Sequence, residues 1–298
     1  MTHHRLLALL LAGLVWITAC SNEAPPTDEQ AALPDITATN AFYYYADVEA
    51  AWDFYRDTLG LETVVEYGFA KIMRLAESSY VTLVAAESGM HSAAEPKTVT
   101  LTLLTEQLDG WKAHLRSSGV AVLSTAGDHP EPNFVVLDPE GYTLRFELSD
   151  AHANSATFVA AAAGLDIRAV IYSIYLRELE TSAEFYEGLL GVESVVETVW
   201  GRLYPVAGSG FLGLVDESDE LHQATEENGV TLSFLTSDID AWFERAVGWP
   251  GFALRTPEIL NEGGLVRVFV GYGPEGYFLE WDTFLEVDEN ASLLRYLP

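Results

Sequence analysis

Cysteine is nearly absent: Cys20 is the only one in 298 residues, so no disulfide can form within the chain. Basic residues are scarce as well. Fifteen lysines and arginines stand against 45 aspartates and glutamates, a formal charge of −30, and the lysines are Lys71, Lys97 and Lys112 alone. Such a surface repels phosphate, which excludes a nucleic-acid partner. The acids are scattered along the chain and read chiefly as a solvating surface. No apolar run is long enough to span a bilayer, which takes roughly twenty residues; the run at Leu6–Ile17 falls short. Nucleophile and phosphate-loop motifs are missing too: there is no Gly-x-Ser-x-Gly and no phosphate-cradling glycine loop. The seven histidines sit in the leader (His3, His4), in expected loops (His91, His129, His152, His222) and on an expected helix (His114), none on a strand.

What is present begins with a leader. Arg5 precedes the apolar run, and Ile17-Thr18-Ala19-Cys20 then meets a polar, proline-bearing stretch, the pattern of a secretory signal. Ile17-Thr18-Ala19-Cys20 resembles a bacterial lipobox, which implies cleavage before Cys20 and lipidation of its thiol. The expected organisation is a signal over 1–19 and a flexible tether over 20–36. The expected location is the periplasmic face of the bacterial cell envelope, membrane-bound through Cys20. Ser21 after the cysteine favours the outer membrane.

The rest of the chain repeats itself. Residues 42–115 meet their counterparts 131 positions on without a gap: Phe54-Tyr55 on Phe185-Tyr186, Leu59-Gly60 on Leu190-Gly191, Trp111 on Trp242. After a four-residue insertion Pro139-Glu140-Gly141-Tyr142 meets Pro274-Glu275-Gly276-Tyr277. Two copies of one fold follow: domain 1 over 37–149, a linker over 150–166, and domain 2 with a tail over 167–298. Within each copy, strand and helix signals give βαβββ twice. Copy one offers a strand at Ala41–Tyr45, a helix at Asp47–Leu59 and strands near Thr63–Glu66, Ala70–Leu75 and Tyr80–Ala85. A strand at Thr98–Leu104, a helix at Glu106–Ser118 and strands near Val120–Ser124, Phe134–Leu137 and Thr143–Leu148 complete it.

An acidic residue followed seven positions later by Phe-Tyr, then by Leu-Gly, occurs as Asp47…Phe54-Tyr55…Leu59-Gly60 and as Glu178…Phe185-Tyr186…Leu190-Gly191. With the turns Asp138–Tyr142 and Gly273–Tyr277, these motifs resemble the vicinal-oxygen-chelate modules of glyoxalase I, extradiol dioxygenases, fosfomycin-modifying enzymes and bleomycin-binding proteins. The resemblance implies an α+β fold of tandem domains. In each, two βαβββ modules curl a mixed sheet into a cup, with helices outside and the ligand inside. Alternation supports a cup independently: Val99, Leu101 and Leu103 share one strand face and Thr98, Thr100 and Thr102 the other. Leu144, Phe146 and Leu148 likewise oppose Thr143, Arg145 and Glu147.

Where metal-using relatives carry ligands, the resemblance points to Asn40 and Ile171, Thr82 and Gly213, Thr100 and Thr231, and Arg145 and Glu280. Only Glu280 is a good ligand, and one carboxylate does not hold a transition metal. The expectation is therefore no metal and no cofactor. The ligand-binding candidates are Asn40, Phe42, Tyr44, Thr100, Arg145, Glu147, Tyr175, Glu280 and Asp282, with Phe69, Trp200 and Tyr204 as further wall residues. Two readings stay open, with an envelope scaffold as a third. One is a metal-free cup that captures an unidentified small molecule. The other is an enzyme that works by acid–base chemistry on a carbonyl-type substrate, through Arg145 with Glu147 or Glu280 with Asp282. Modules pairing within the chain make a monomer the expected state.

Overall fold

The structure of the protein is a computed structural model that describes residues 33–123, 132–148, 158–217 and 221–298; the expected leader and Cys20 lie outside them. Module 1 comprises β1 (Ala38–Tyr45), α1 (Val48–Asp53), β2 (Glu62–Glu66), β3 (Ala70–Ala76) and β4 (Ser79–Ala85). Module 2 comprises β5 (Val99–Thr105), α2 (Leu108–Ser117), β6 (Asn133–Leu137) and β7 (Thr143–Leu148). The described part of the expected strand Val120–Ser124 makes only an isolated bridge, Leu123 to Val135. A small hairpin, β8 (Val159–Ala160) and β9 (Asp166–Ile167), leads into module 3. That module has β10 (Ala169–Leu176), α3 (Leu179–Leu190), β11 (Val196–Glu197), β12 (Gly201–Ala207) and β13 (Gly210–Asp216). Module 4 has β14 (Val230–Leu235), α4 (Ile239–Ala246), β15 (Ala253–Leu254), β16 (Leu260–Glu262), β17 (Val266–Tyr272) and β18 (Phe278–Phe284), and α5 (Ala291–Leu294) follows.

Local chemistry places the first helix. Asp47 accepts a hydrogen bond from Ala50 N at 3.1 Å and so caps α1. The helix then widens into a π turn over Phe54–Thr58, with Leu59 N donating to Phe54 O at 3.0 Å. Gly60 ends it at φ +69°, and a side chain there would stand 2.3 Å from the backbone nitrogen of Ala162. Glycine alone meets both conditions.

The alternation resolves as expected. The odd-numbered apolar residues of β5, with Tyr43, Phe146, Leu232, Phe234 and Trp281, enter one continuous core with Trp111 of α2 and Trp242 of α4. The polar rows are left on the concave faces.

The partnering of modules differs from the expected cups. β1 lies antiparallel to β14, with Asn40 opposite Ser233, and β10 lies antiparallel to β5, with Ser173 opposite Thr100. A nine-stranded sheet, ordered β15-β17-β18-β14-β1-β4-β3-β2 with β16 beside β17, therefore joins module 1 to module 4. A seven-stranded sheet, β11-β12-β13-β10-β5-β7-β6, joins module 2 to module 3. Residues 37–149 and 167–298 do not each close a cup of their own; each copy gives one module to each cup.

The repeated turn braces both junctions. Tyr142 Oη accepts from Tyr44 N at 2.8 Å and donates to Gly229 O at 2.7 Å, tying β1 to the start of β14. Tyr277 Oη accepts from Tyr175 N at 3.0 Å and donates to Thr98 O at 2.9 Å, tying β10 to the start of β5. The turn glutamates hold the helix starts of the same copy. Glu140 accepts from Ala46 N and Asp47 N, and Glu275 from Arg177 N and Glu178 N. Tyr44 Oη with Thr231 and Tyr175 Oη with Thr100, both at 2.8 Å, brace the same junctions.

Candidate functional site

The concave face of the seven-stranded sheet surrounds a cavity of about 180 Å³. Arg145 reaches it from β7, in register with Thr102 of β5. The arginine is only 8% exposed, and its Nε and Nη2 are buried with no hydrogen-bond partner. Leaving those N–H groups unpaired out of water is costly, so an acceptor that reaches them would be strongly favoured. Thr102, Ser173 and Thr198 bring hydroxyls to the wall, Glu147 a carboxylate, and Ile171, Val196, Leu203 and Val215 apolar surface. Arg202, the wall's second guanidinium, is committed elsewhere. Its Nη1 donates to Thr198 O at 2.6 Å and its Nη2 to Glu180 at 2.7 Å.

The nine-stranded cup is filled at the equivalent place. Along the repeat, Phe42 stands for Ser173, Thr82 for Gly213, Tyr67 for Thr198 and Asn40 for Ile171. Asn40 and Thr82 exchange hydrogen bonds at 2.9 and 3.1 Å. Residues 286–298 complete the seal. Asn290 donates to Leu265 O and Leu285 O and receives the Tyr67 hydroxyl. Leu293 is fully buried among Ala38, Ile72, Tyr80 and Leu235. Arg74 lies 3.8 Å from the Tyr296 ring centre.

Glu280 and Asp282 are buried on β18 of the same cup, Asp282 bordering a pocket of about 220 Å³ that it shares with Glu286, Leu294, Leu297 and Pro298. Burial raises both carboxyls, and for Glu280 the neighbouring Asp282 adds to it; Asp282 is pushed up to about 7. Ser233 donates to Asp282 Oδ2 at 2.6 Å. Arg255 partly offsets the rise at Glu280, and Glu262 reinforces it at both. The charge contrast between the copies is thus structural: Arg145 beside Glu147 in one cup, two acids in the other.

The crosswise sheets divide the residues expected to bind ligand. Asn40, Phe42, Tyr44, Glu280 and Asp282 belong to the nine-stranded cup, and Thr100, Arg145, Glu147 and Tyr175 to the seven-stranded one. Of these, Arg145 and Glu147 line the cavity. Tyr44 and Tyr175, each 1% exposed, act as buried braces. Phe69 and Trp200 sit at hairpin tips, 47% and 61% exposed, and Tyr204 is core, donating to Glu187 at 2.9 Å.

Outside the expected ligand set, Ser173 and Thr102 line the cavity, and two of the four expected loop histidines, His91 and His222, pack against the cup tyrosines. His91 folds back beside the nine-stranded cup, its ring 4.9 Å from Tyr44 and 4.3 Å from Phe278. Its Nδ1 meets Glu95 Oε2 at 2.6 Å, and burial lowers its basicity. His222 meets Tyr175 in the same edge-on way at 4.8 Å. The signal was present: 91 and 222 differ by 131, inside the gapless repeat.

A metal of the kind the fold accommodates elsewhere does not fit these donors. In the nine-stranded cup the positions hold Asn40, Thr82, Thr231 and Glu280. The first two bond each other, Thr231 bonds Tyr44, and Glu280 is held toward its neutral form. In the seven-stranded cup they hold Ile171, Gly213, Thr100 and the cation Arg145. Among the described residues no three His, Cys, Asp or Glu side chains converge as a metal site.

The sequence profile of the Glyoxalase/Bleomycin resistance protein/Dioxygenase superfamily matches residues 37–146. That stretch is similar to this superfamily, and the second half of the chain repeats its fold. Solved structures with the same double arrangement include glyoxalase I from Zea mays, at TM-score 0.62 and 14% identity over 87% of this chain and 94% of that one. A candidate dioxygenase from Bacillus subtilis aligns at TM-score 0.63 and 15% identity, over 85% and 86% of the two chains. At these identities the likeness is one of fold. No curated protein matches the sequence.

Proposed function

We propose that this protein binds a small molecule at the bacterial cell envelope without a metal, that its working site is the seven-stranded cup, and that lipidated Cys20 tethers it. One observation carries the binding reading: a cavity of about 180 Å³ lies open in one cup, while side chains fill the equivalent space in the other. That volume corresponds to about six waters of liquid, so the part of the ligand held inside the cup is small. Ser173→Phe tests it, because phenylalanine is what the sealed cup carries at the equivalent Phe42. In a thermal-shift screen of small molecules, compounds that raise the Tm of the wild type should lose their effect on a folded Ser173→Phe protein. Shifts that survive the substitution would put the site elsewhere and end this reading.

The tether rests on Ile17-Thr18-Ala19-Cys20, outside the described residues. Cys20→Ser should move the protein from the membrane fraction to the soluble fraction; retention in the membrane would count against an anchor at this residue. A second reading, acid–base catalysis, is favoured by Asp282, whose carboxyl at about 7 exchanges protons readily at neutral pH. Both acids are buried, and the equivalent of the open cavity is filled by side chains in their cup, so binding in the open cup takes precedence.

A further inference from the structure

We propose that the ligand of the seven-stranded cup is a small monocarboxylate, received side-on by Nε and Nη2 of Arg145; this rests on the cup being the binding site. The two nitrogens that lack partners are those of one guanidinium edge, the edge that presents parallel N–H groups at the spacing of carboxylate oxygens. Both are covered, so the carboxylate must part the side chains over them as it enters, and the residue itself lines the cavity. A cation enclosed with its bidentate edge unused selects for a planar anion.

The surroundings limit that anion to a single charge. Arg202 is tied to Glu180 and to two carbonyls, so it adds no second free guanidinium. Glu147 stands on the same wall two residues from Arg145, and the whole chain carries −30. Together they oppose a phosphate or sulfate dianion. The rest of the molecule would lie on Ile171, Val196, Leu203 and Val215, which suits a short hydrocarbon or aromatic body. Gly213 keeps that space clear, since a side chain there would approach Ser173 Oγ to 2.7 Å. The equivalent point of the sealed cup carries Glu280, which would repel the same ligand.

The test uses the intact protein with benzoate and isobutyrate, their neutral isosteres benzamide and isobutyramide, and inorganic phosphate. Calorimetric titration should show saturable binding of at least one acid, with its amide at least tenfold weaker and phosphate silent. Saturation with that acid should shift the NMR signal of the Arg145 Nε–H group, and Arg145→Gln should raise Kd at least tenfold. An amide that binds as tightly as its acid, or an affinity unchanged in Arg145→Gln, overturns the proposal. If neutral molecules bind and Ser173→Phe abolishes them, the cup remains the site and only the carboxylate assignment falls. If nothing in either series binds, the carboxylate assignment falls, and the Ser173→Phe screen decides the cup separately. Should Arg145→Gln not fold, the Nε–H signal of the wild type decides, and its failure to move at saturation is the refuting result.

Discussion

Glu280 and Asp282 face the same side of β18 in the nine-stranded cup, and burial there makes them hold protons. In the unfolded chain both ionise near pH 4; in the folded protein burial keeps them protonated to higher pH. The folded state therefore binds more protons than the unfolded state above about pH 4, and stability falls as pH rises through that window. The loss belongs to the pair and is felt between about pH 5 and 7. Asp282→Asn removes one of the two groups that must be neutralised. Its stability relative to wild type should therefore grow with pH over the same range, as read by urea unfolding at about pH 5 and 7. A difference that stays constant, or reverses, would show that the folded protein holds no extra proton there. The contrast with Asp138 is instructive. That carboxyl is also raised by burial, yet it accepts from Tyr45 and Tyr55 hydroxyls and from the Glu140 and Tyr142 amides, all of which favour its charged form.

At the scale of elements, period and caps were legible in the sequence. The alternation of β5 and β7 placed Arg145 and Glu147 on the concave face, and the Asp47 cap and Gly60 stop bracketed the first helix. Two features could not be read in this way. Phe54-Tyr55 and Phe185-Tyr186 share local sequence, yet only the first forms a π turn, so the difference lies in tertiary partners. Tyr55 reaches Asp138, whereas the turn of the second copy has Gly273 at that place and the Tyr186 hydroxyl is left unpaired. Residues 286–298 read as a tail because Leu293, Leu294 and Tyr296 lie in too short a stretch to show a helical period. Their role depends on Tyr67, more than two hundred positions away in the chain. Which cup is open was equally hidden. It turns on the bulk of Phe42 against Ser173 and Thr82 against Gly213, differences that matter only once both sets are known to face a cup.

For the whole molecule, the duplication was plain but the partnering was not. β5 and β14 are equivalent strands 131 residues apart, so either offers β1 the same row of hydroxyls, Thr100 or Thr231 and Thr102 or Ser233. Even the tyrosine ties fall on equivalent carbonyls, Gly229 and Thr98, so the repeat alone does not name the partner. Residues 33–148 expressed alone would keep β1 and β5 but lack β14 and β10. Two such chains can supply each other, so sedimentation should find a dimer. A folded monomer would show that β1 accepts β5 within one copy. The same connectivity also orders events in time. Residues 99–216 hold every strand of the seven-stranded sheet in one stretch, whereas the nine-stranded sheet joins residues 38–85 to 230–284. At ribosomal speed β1 would wait roughly ten to forty seconds for β14 to emerge, with one edge open to neighbouring chains. The cup with the cavity can therefore close while the sealed cup is still half synthesised.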